Sequence, residues 1–210
     1  MPRDTAADGP SALSTPTKIA GPGPAAAQDV AGQKPQTLIL MGVAGSGKST
    51  LARHCADALG WTYLEGDDFH SATAKQMMAS GQPLTAELRQ HWVGLLCQAL
   101  QQQQASGLPT VLSYSGLIQQ QRAQIRAAAA APLFVYLHGP ADVLAARLRA
   151  RTAHFMPESM LHSQLATMQV PVLEPDVLWL DLRLALPEQV KRIFQALQRT
   201  ADSANTKPAN

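Results

Sequence analysis

The chain reads as an α/β protein of three layers, a parallel five-stranded sheet with helices on both faces and a mobile lid. Two observations carry that reading. From Thr37 onward short apolar runs alternate with helical patterns, the order expected when each strand is followed by a helix that crosses back over the sheet. A glycine-rich stretch, Gly42-Val43-Ala44-Gly45-Ser46-Gly47-Lys48-Ser49, joins the first apolar run to the first helical pattern. With 210 residues, 46% of them hydrophobic and 15% charged, the chain is long enough for one such domain with a substantial core and too short for two of ordinary size.

Residues 1–34 are rich in Pro, Ala, Gly, Ser and Thr and show no periodicity, so they read as a disordered tail ahead of a domain over residues 35–200. Strand one is Thr37 to Met41, and the helix after the glycines carries Leu51, Cys55 and Leu59 on one stripe. Strand two is Trp61 to Glu65. Helical patterns follow over about Ser71 to Ala79 and Ala86 to Gln104, the latter with Leu88, Trp92, Leu95, Leu96 and Ala99 on its apolar side and a solvated end at Gln101 to Gln104. Thr110 to Ser113 is strand three. Leu133 to Leu137 and Val177 to Leu180, strands four and five, are continuous apolar runs, as for strands buried on both faces. Ala141 to Arg151 is helical, and Leu161, Leu165 and Met168 mark a further helix. Pro187, as a first helical residue, opens the closing helix through Val190, Ile193, Phe194 and Leu197, and residues 201–210 are expected to fray.

Composition excludes several classes. A net charge of +2 without a basic run gives no reason to expect nucleic acid as a partner. No apolar stretch approaches the roughly 18 residues of a membrane span, and residues 1–34 lack the apolar core of a signal peptide. Cys55 and Cys97 stand apart, without zinc or redox spacing, which suits a cytoplasmic protein with reduced thiols.

The glycine-rich stretch has the phosphate-loop spacing G-x-x-x-x-G-K-S, here between a strand and a helix. Its glycines let successive backbone N–H groups point inward at phosphate, Lys48 reaches the β/γ-phosphates and the Ser49 hydroxyl ligates Mg²⁺. The expected cofactors are therefore a nucleoside triphosphate and Mg²⁺, bound by residues Gly42 through Thr50. Strand two ends in Glu65-Gly66-Asp67-Asp68-Phe69-His70 at the carboxyl edge of the sheet, where open α/β sheets bind ligands. Asp67 is placed to take the proton of an attacking hydroxyl and Glu65 to orient a magnesium-bound water, while Asp68 or Ser71 would cap the next helix. Arg147 and Arg151, four apart, share a helix face and repel by about 0.2–0.5 kcal/mol unless an anion lies near them; a transferring phosphoryl group would serve. The polar, Pro-containing stretch from Arg151 is the expected lid. His70 and His154 are candidate substrate contacts, the remaining histidines are structural or exposed, and Trp92 belongs to the core.

These residues, with Met78-Ala79-Ser80-Gly81-Gln82-Pro83-Leu84, Arg89, Trp92, Tyr136-Leu137-His138-Gly139, Arg147-Leu148, Arg151, His154-Phe155 and Ser163-Gln164, resemble in order and spacing the thermoresistant gluconokinases, small P-loop kinases related in fold to shikimate kinase. The resemblance runs from Leu38 to about Pro171. It implies the P-loop kinase fold, transfer of the ATP γ-phosphoryl group to the 6-hydroxyl of D-gluconate, Asp67 beside that hydroxyl, a closing lid and a homodimer. A small sugar acid is the implied substrate. Met77 and Ile118 stand where the family has lysines, and Leu88 and Ala123 where it has acids; Gln121 replaces a tyrosine. Two absent lysines, at about 1.5–3 kcal/mol for each charged hydrogen bond, predict weakened gluconate turnover unless Arg89, His70, Lys75, Arg122 or His154 compensates. Two other readings remain open from the residues: a nucleotide-binding module without turnover, and a kinase for another small polyol or acid.

Overall fold

The computed structural model describes residues 35–150 and 158–205. Five strands, β1 (Thr37–Met41), β2 (Thr62–Glu65), β3 (Thr110–Tyr114), β4 (Pro132–His138) and β5 (Val177–Asp181), form one sheet in the order β2-β3-β1-β4-β5. All four pairings are parallel. Among the described residues seven helices accompany them: α1 (Lys48–Leu59), α2 (Ala72–Ala79), α3 (Ala86–Ala105), α4 (Gln119–Ala128), α5 (Ala141–Arg149), α6 (Glu158–Thr167) and α7 (Leu186–Asn205). A single 3₁₀ turn, Gly66–Phe69, follows β2.

Because strand side chains alternate, the central strand β1 feeds both layers. Leu38 and Leu40 pack with Leu51 and Cys55 of α1 and with Ile193 and Leu197 of α7. Ile39 and Met41 pack on the opposite face with Trp92, Val93 and Leu96 of α3 and Ile125 of α4. Each such fully buried side chain contributes about 1.5–3 kcal/mol of transfer free energy. Burial pushes the Cys55 thiol up to about 12, so it is an inert part of the first layer. A third cluster, Val43, Ala44, Leu117, Leu144, Leu148, Leu161 and Leu182, closes the carboxyl ends of the strands and seats α5 and α6 against the phosphate loop.

The structure departs from the sequence expectations in four places. α4 is a helix that apolar periodicity does not announce, because one of its buried positions is Arg122. β5 is an edge strand rather than one covered on both faces, and leaves Trp179 41% exposed. α5 ends at Arg149, with Ala150 as its cap donating back to Ala146, short of the expected end at Arg151. α7 continues through Asn205, past the expected end of the domain. The tail over 1–34, Arg151, His154 and the first part of the expected lid lie outside the described residues. Among those described, no helix is long and apolar enough to cross a membrane.

Candidate active site

Local chemistry shapes the loop between β1 and α1. Gly45 adopts φ +81, and a Cβ there would lie 2.9 Å from the Leu144 carbonyl, so both conformation and space require glycine. α1 starts at Lys48 with no side chain capping it, leaving its first N–H groups for a ligand. Ser46 Oγ is buried without a hydrogen-bond partner, an orphan polar atom in a loop otherwise well packed. Lys48 lines the cleft, while Thr50 is exposed and its carbonyl accepts from His54 Nδ1 at 2.9 Å.

At the end of β2, Glu65 is held by three neighbours. Tyr63 Oη and Ser113 Oγ each donate to it at 2.6 Å, and the Ser49 hydroxyl lies beside it. Burial pushes its pKa up, but hydrogen bonds from Ser113, Tyr63 and Ser49 and the charge of Lys48 outweigh that and hold the carboxyl below the ordinary value. Both oxygens being engaged, Glu65 is suited to act on a cation through water rather than as an inner ligand. No cluster of three or more His, Cys, Asp or Glu with metal-binding geometry exists among the described residues.

The chain then turns sharply at Gly66, where a Cβ would lie 2.5 Å from the Ser113 carbonyl. Asp67 follows, its side chain half exposed to a cleft of about 580 Å³, within the range of small-molecule sites. His70 is buried beneath it. Its ring stacks on Trp92 with centroids 4.3 Å apart, Nε2 lies 4.0 Å from Asp67 Oδ1, and Nδ1 has no partner. Desolvation lowers its basicity, against the pull of Asp67. Trp92 is a core residue, as expected, and also fixes the turn by donating to the Gly66 carbonyl at 2.7 Å. Ser71 caps α2 by accepting from Ala74 N at 3.2 Å, so Asp68 is free of that role and lines the cleft.

Lys75 and Arg89 supply positive charge to the cleft wall. Lys75 Nζ donates to the Asp68 carbonyl at 3.3 Å. Arg89 makes one long bond to the Leu84 carbonyl at 3.4 Å and has no carboxylate within ion-pair distance among the described residues; burial lowers its basicity. Met77 and Ile118, where the resemblance expected lysines, do not line the cleft, nor do Leu88, Gln121 and Ala123. The cleft-facing side of α2 carries Lys75, Met78 and Ala79, and Ile118 packs against the third apolar cluster. Arg122 is not available as compensation: it is fully buried, donating to the Gly116 carbonyl at 2.7 Å and to both oxygens of Glu174. It thereby braces the Ser115–Leu117 wall from behind.

Arg147 reaches the phosphate loop from α5. Its Nη2 donates to the Leu182 carbonyl at 2.7 Å, and its Nη1 lies 3.7 Å from where a Cβ on Gly47 would stand. Sequence reasoning did not single out Gln164 for a role, since its partner is remote in the chain: Ala44 N donates to its Oε1 at 2.7 Å, and Gln164 shares the cleft with Met160, Ser163 and Thr167 of α6.

A family model described as an AAA domain matches residues 38–171, a span running from β1 past α6. The chain is 42% identical to the gluconokinase of Gluconobacter oxydans (strain 621H) over 140 residues, covering 67% of this chain and 79% of that one. It is 35% identical to the thermoresistant gluconokinase of Escherichia coli (strain K12), with 77% and 93% of the two chains covered. Among solved structures, a gluconokinase from Sinorhizobium meliloti 1021 superposes with a TM-score of 0.74 at 36% identity, over 82% of this chain and 97% of that one. Sequence likeness across 79% or more of each of these relatives, joined to the same arrangement in space, means that the chain belongs to the gluconokinase family.

Proposed function

We propose that this protein transfers the γ-phosphoryl group of ATP to the 6-hydroxyl of D-gluconate, yielding 6-phosphogluconate. The observation that carries the proposal is a single cleft lined together by Ala44 and Lys48 of the phosphate loop, by Asp67, and by the cations Lys75 and Arg89, the latter without a carboxylate partner among the described residues. A polyhydroxylated carboxylate suits that arrangement, its anionic group toward the cations and its far hydroxyl toward the loop.

The loop fits a nucleotide by its own geometry. Orphaned Ser46 Oγ, uncapped N–H groups at the start of α1 and cleft-facing Lys48 are donors that phosphate oxygens would satisfy. Ser49 would hold Mg²⁺ directly and Glu65 through water. Mg-ATP, when bound, supplies the transferable phosphoryl group and a cation that offsets its charge. Asp67 orients the acceptor hydroxyl and takes its proton. Arg147, pinned to Leu182, keeps one side of its guanidinium toward the loop to stabilise charge there. Arg151 and His154 retain the roles expected of them, phosphoryl contact and acceptor contact.

A coupled assay of ADP release over a panel of sugar acids and polyols tests the proposal. ADP formation dependent on D-gluconate, with 6-phosphogluconate recovered, is the expected result. Turnover on another acceptor with none on gluconate overturns it.

A further inference from the structure

Gln164 is a side chain bonded to the phosphate loop that also lines the cleft. Its orientation follows from chemistry. The Ala44 N–H is a donor, so the amide atom 2.7 Å away is the oxygen, and the –NH₂ group is turned away from that N–H. Among the described residues that –NH₂ has no hydrogen-bond partner. The neighbouring Thr167 hydroxyl is engaged within the helix, donating to the Ser163 carbonyl at 2.8 Å. Of the polar groups that α6 presents to the cleft, the Gln164 amide is the one fixed by the loop and still able to donate.

The helix that carries it is held firmly. Met160 and Leu161 are buried, and Leu161 and Leu165 pack with Val43, Ala44 and Leu117. Just beyond the helix, Gln169 N donates to the Leu117 carbonyl at 2.8 Å and Gln119 N donates to Gln169 Oε1 at 2.7 Å. α6 therefore bridges the phosphate loop and the Ser115–Leu117 wall, and Gln164 moves only if the helix moves.

We propose that Gln164 binds the acceptor and registers it to the phosphate loop, its oxygen held by the Ala44 amide and its nitrogen donating to an oxygen of the sugar acid. This rests on the gluconokinase reading above. The role differs from that of Arg89 and Lys75: a neutral donor tied to the loop aligns the acceptor without adding charge beside the phosphates. A group tied to both sites also transmits one ligand's position to the other.

Two variants of similar size separate this role from that of a mere brace. Gln164→Met removes both the bond to Ala44 and the donors, whereas Gln164→Glu keeps an oxygen for Ala44 but removes the donors and adds a negative charge. KM values for gluconate and ATP, kcat, melting temperature and calorimetric affinity for a non-hydrolysable ATP analogue without acceptor are measured for each. The expected result is a rise of about ten-fold or more in the gluconate KM for both variants. Analogue affinity for Gln164→Met should stay within about two-fold of wild type, with the melting temperature kept. Should Gln164→Met fail to fold, Gln164→Glu carries the test. A wild-type gluconate KM in Gln164→Glu, or a parallel loss of gluconate and analogue affinity in Gln164→Met, overturns the proposal and leaves a brace. Absence of gluconate turnover in the wild type itself overturns the functional reading and this role with it, so the two failures are told apart in one experiment.

Discussion

Replacing Arg89 by methionine is the sharpest probe of how the acceptor is held. Arg89 is a guanidinium on the cleft wall with five N–H donors, one long bond at 3.4 Å to the Leu84 carbonyl and no carboxylate to neutralise it among the described residues. Burial already lowers its basicity, so the charge is held at a cost that a bound carboxylate would relieve. A charged hydrogen bond contributes about 1.5–3 kcal/mol, and a substrate carboxylate meeting Arg89 would therefore lose roughly 10- to 150-fold in kcat/KM on truncation. Since that contact lies far from the reacting hydroxyl and serves ground and transition state alike, the loss should fall chiefly on the gluconate KM, with kcat and the ATP KM nearly unchanged. Methionine keeps the stem's apolar packing, and the melting temperature should hold or rise slightly because an uncompensated cation is removed. Steady-state kinetics with gluconate varied at saturating ATP make the measurement. A gluconate KM within two-fold of wild type in the folded variant would refute the reasoning, and so would the larger gain appearing in Met77→Lys with Ile118→Lys, positions that do not line the cleft.

Four further outcomes follow from the geometry. Lys48→Met should keep its fold but lose turnover and weaken Mg-ATP binding in calorimetry; unchanged affinity would remove the loop from the mechanism. Asp67→Asn should lower kcat by about two to four decades with ATP affinity intact, as for loss of a positioned base, and Glu65→Gln should cost less; single-turnover kinetics decide it. Arg122→Met should destabilise the fold in urea, but by less than the about 3–5 kcal/mol of a fully orphaned buried charge, because Glu174 keeps Arg126 at 2.8 Å, and adding Glu174→Met should recover part of that loss. Burial lowers the basicity of His70 below the ordinary 6.5, so the stability that depends on its neutral ring is complete above that pH and is lost progressively as pH falls below it. Melting curves over this range should show a slope that His70→Phe, which keeps a ring against Trp92, flattens.

The phosphate loop and the strands were legible in the sequence because their signals are local. Glycine spacing, a continuous apolar run and a following helical stripe all lie within one short segment, and β1, β3 and β4 start and stop close to where that pattern places them. What lay beyond reach depends on faces and on distant partners. Arg122 reads as a free cation along the chain and becomes buried because Glu174, far away in sequence, returns beside it; the same burial of a charge hid α4 from any apolar periodicity. Met77 occupies a family position by count, yet a helix advances about 100° per residue, and the cleft sees Lys75, Met78 and Ala79 instead. Gln164 matches the family within Ser163-Gln164, but its role has no local signal, since it comes from Ala44. The choice of Ser71 over Asp68 as the cap was within the alternatives the sequence left open and was decided by which residue immediately precedes α2.

The contact between Trp92 and His70 also furnishes the protein with its own optical reporter. The chain has three tryptophans: Trp61 is half-buried beside the first apolar layer, and Trp179 lies on the exposed edge strand. Trp92 alone lines the cleft, stacked on an imidazole and bonded to the backbone turn that carries Asp67. Any ligand that shifts this turn or the imidazole alters the surroundings of that indole. A protein carrying Trp61→Phe and Trp179→Phe would therefore emit from the acceptor site alone, so that occupancy and its rate could be followed in stopped flow without a label and before any phosphoryl group has moved.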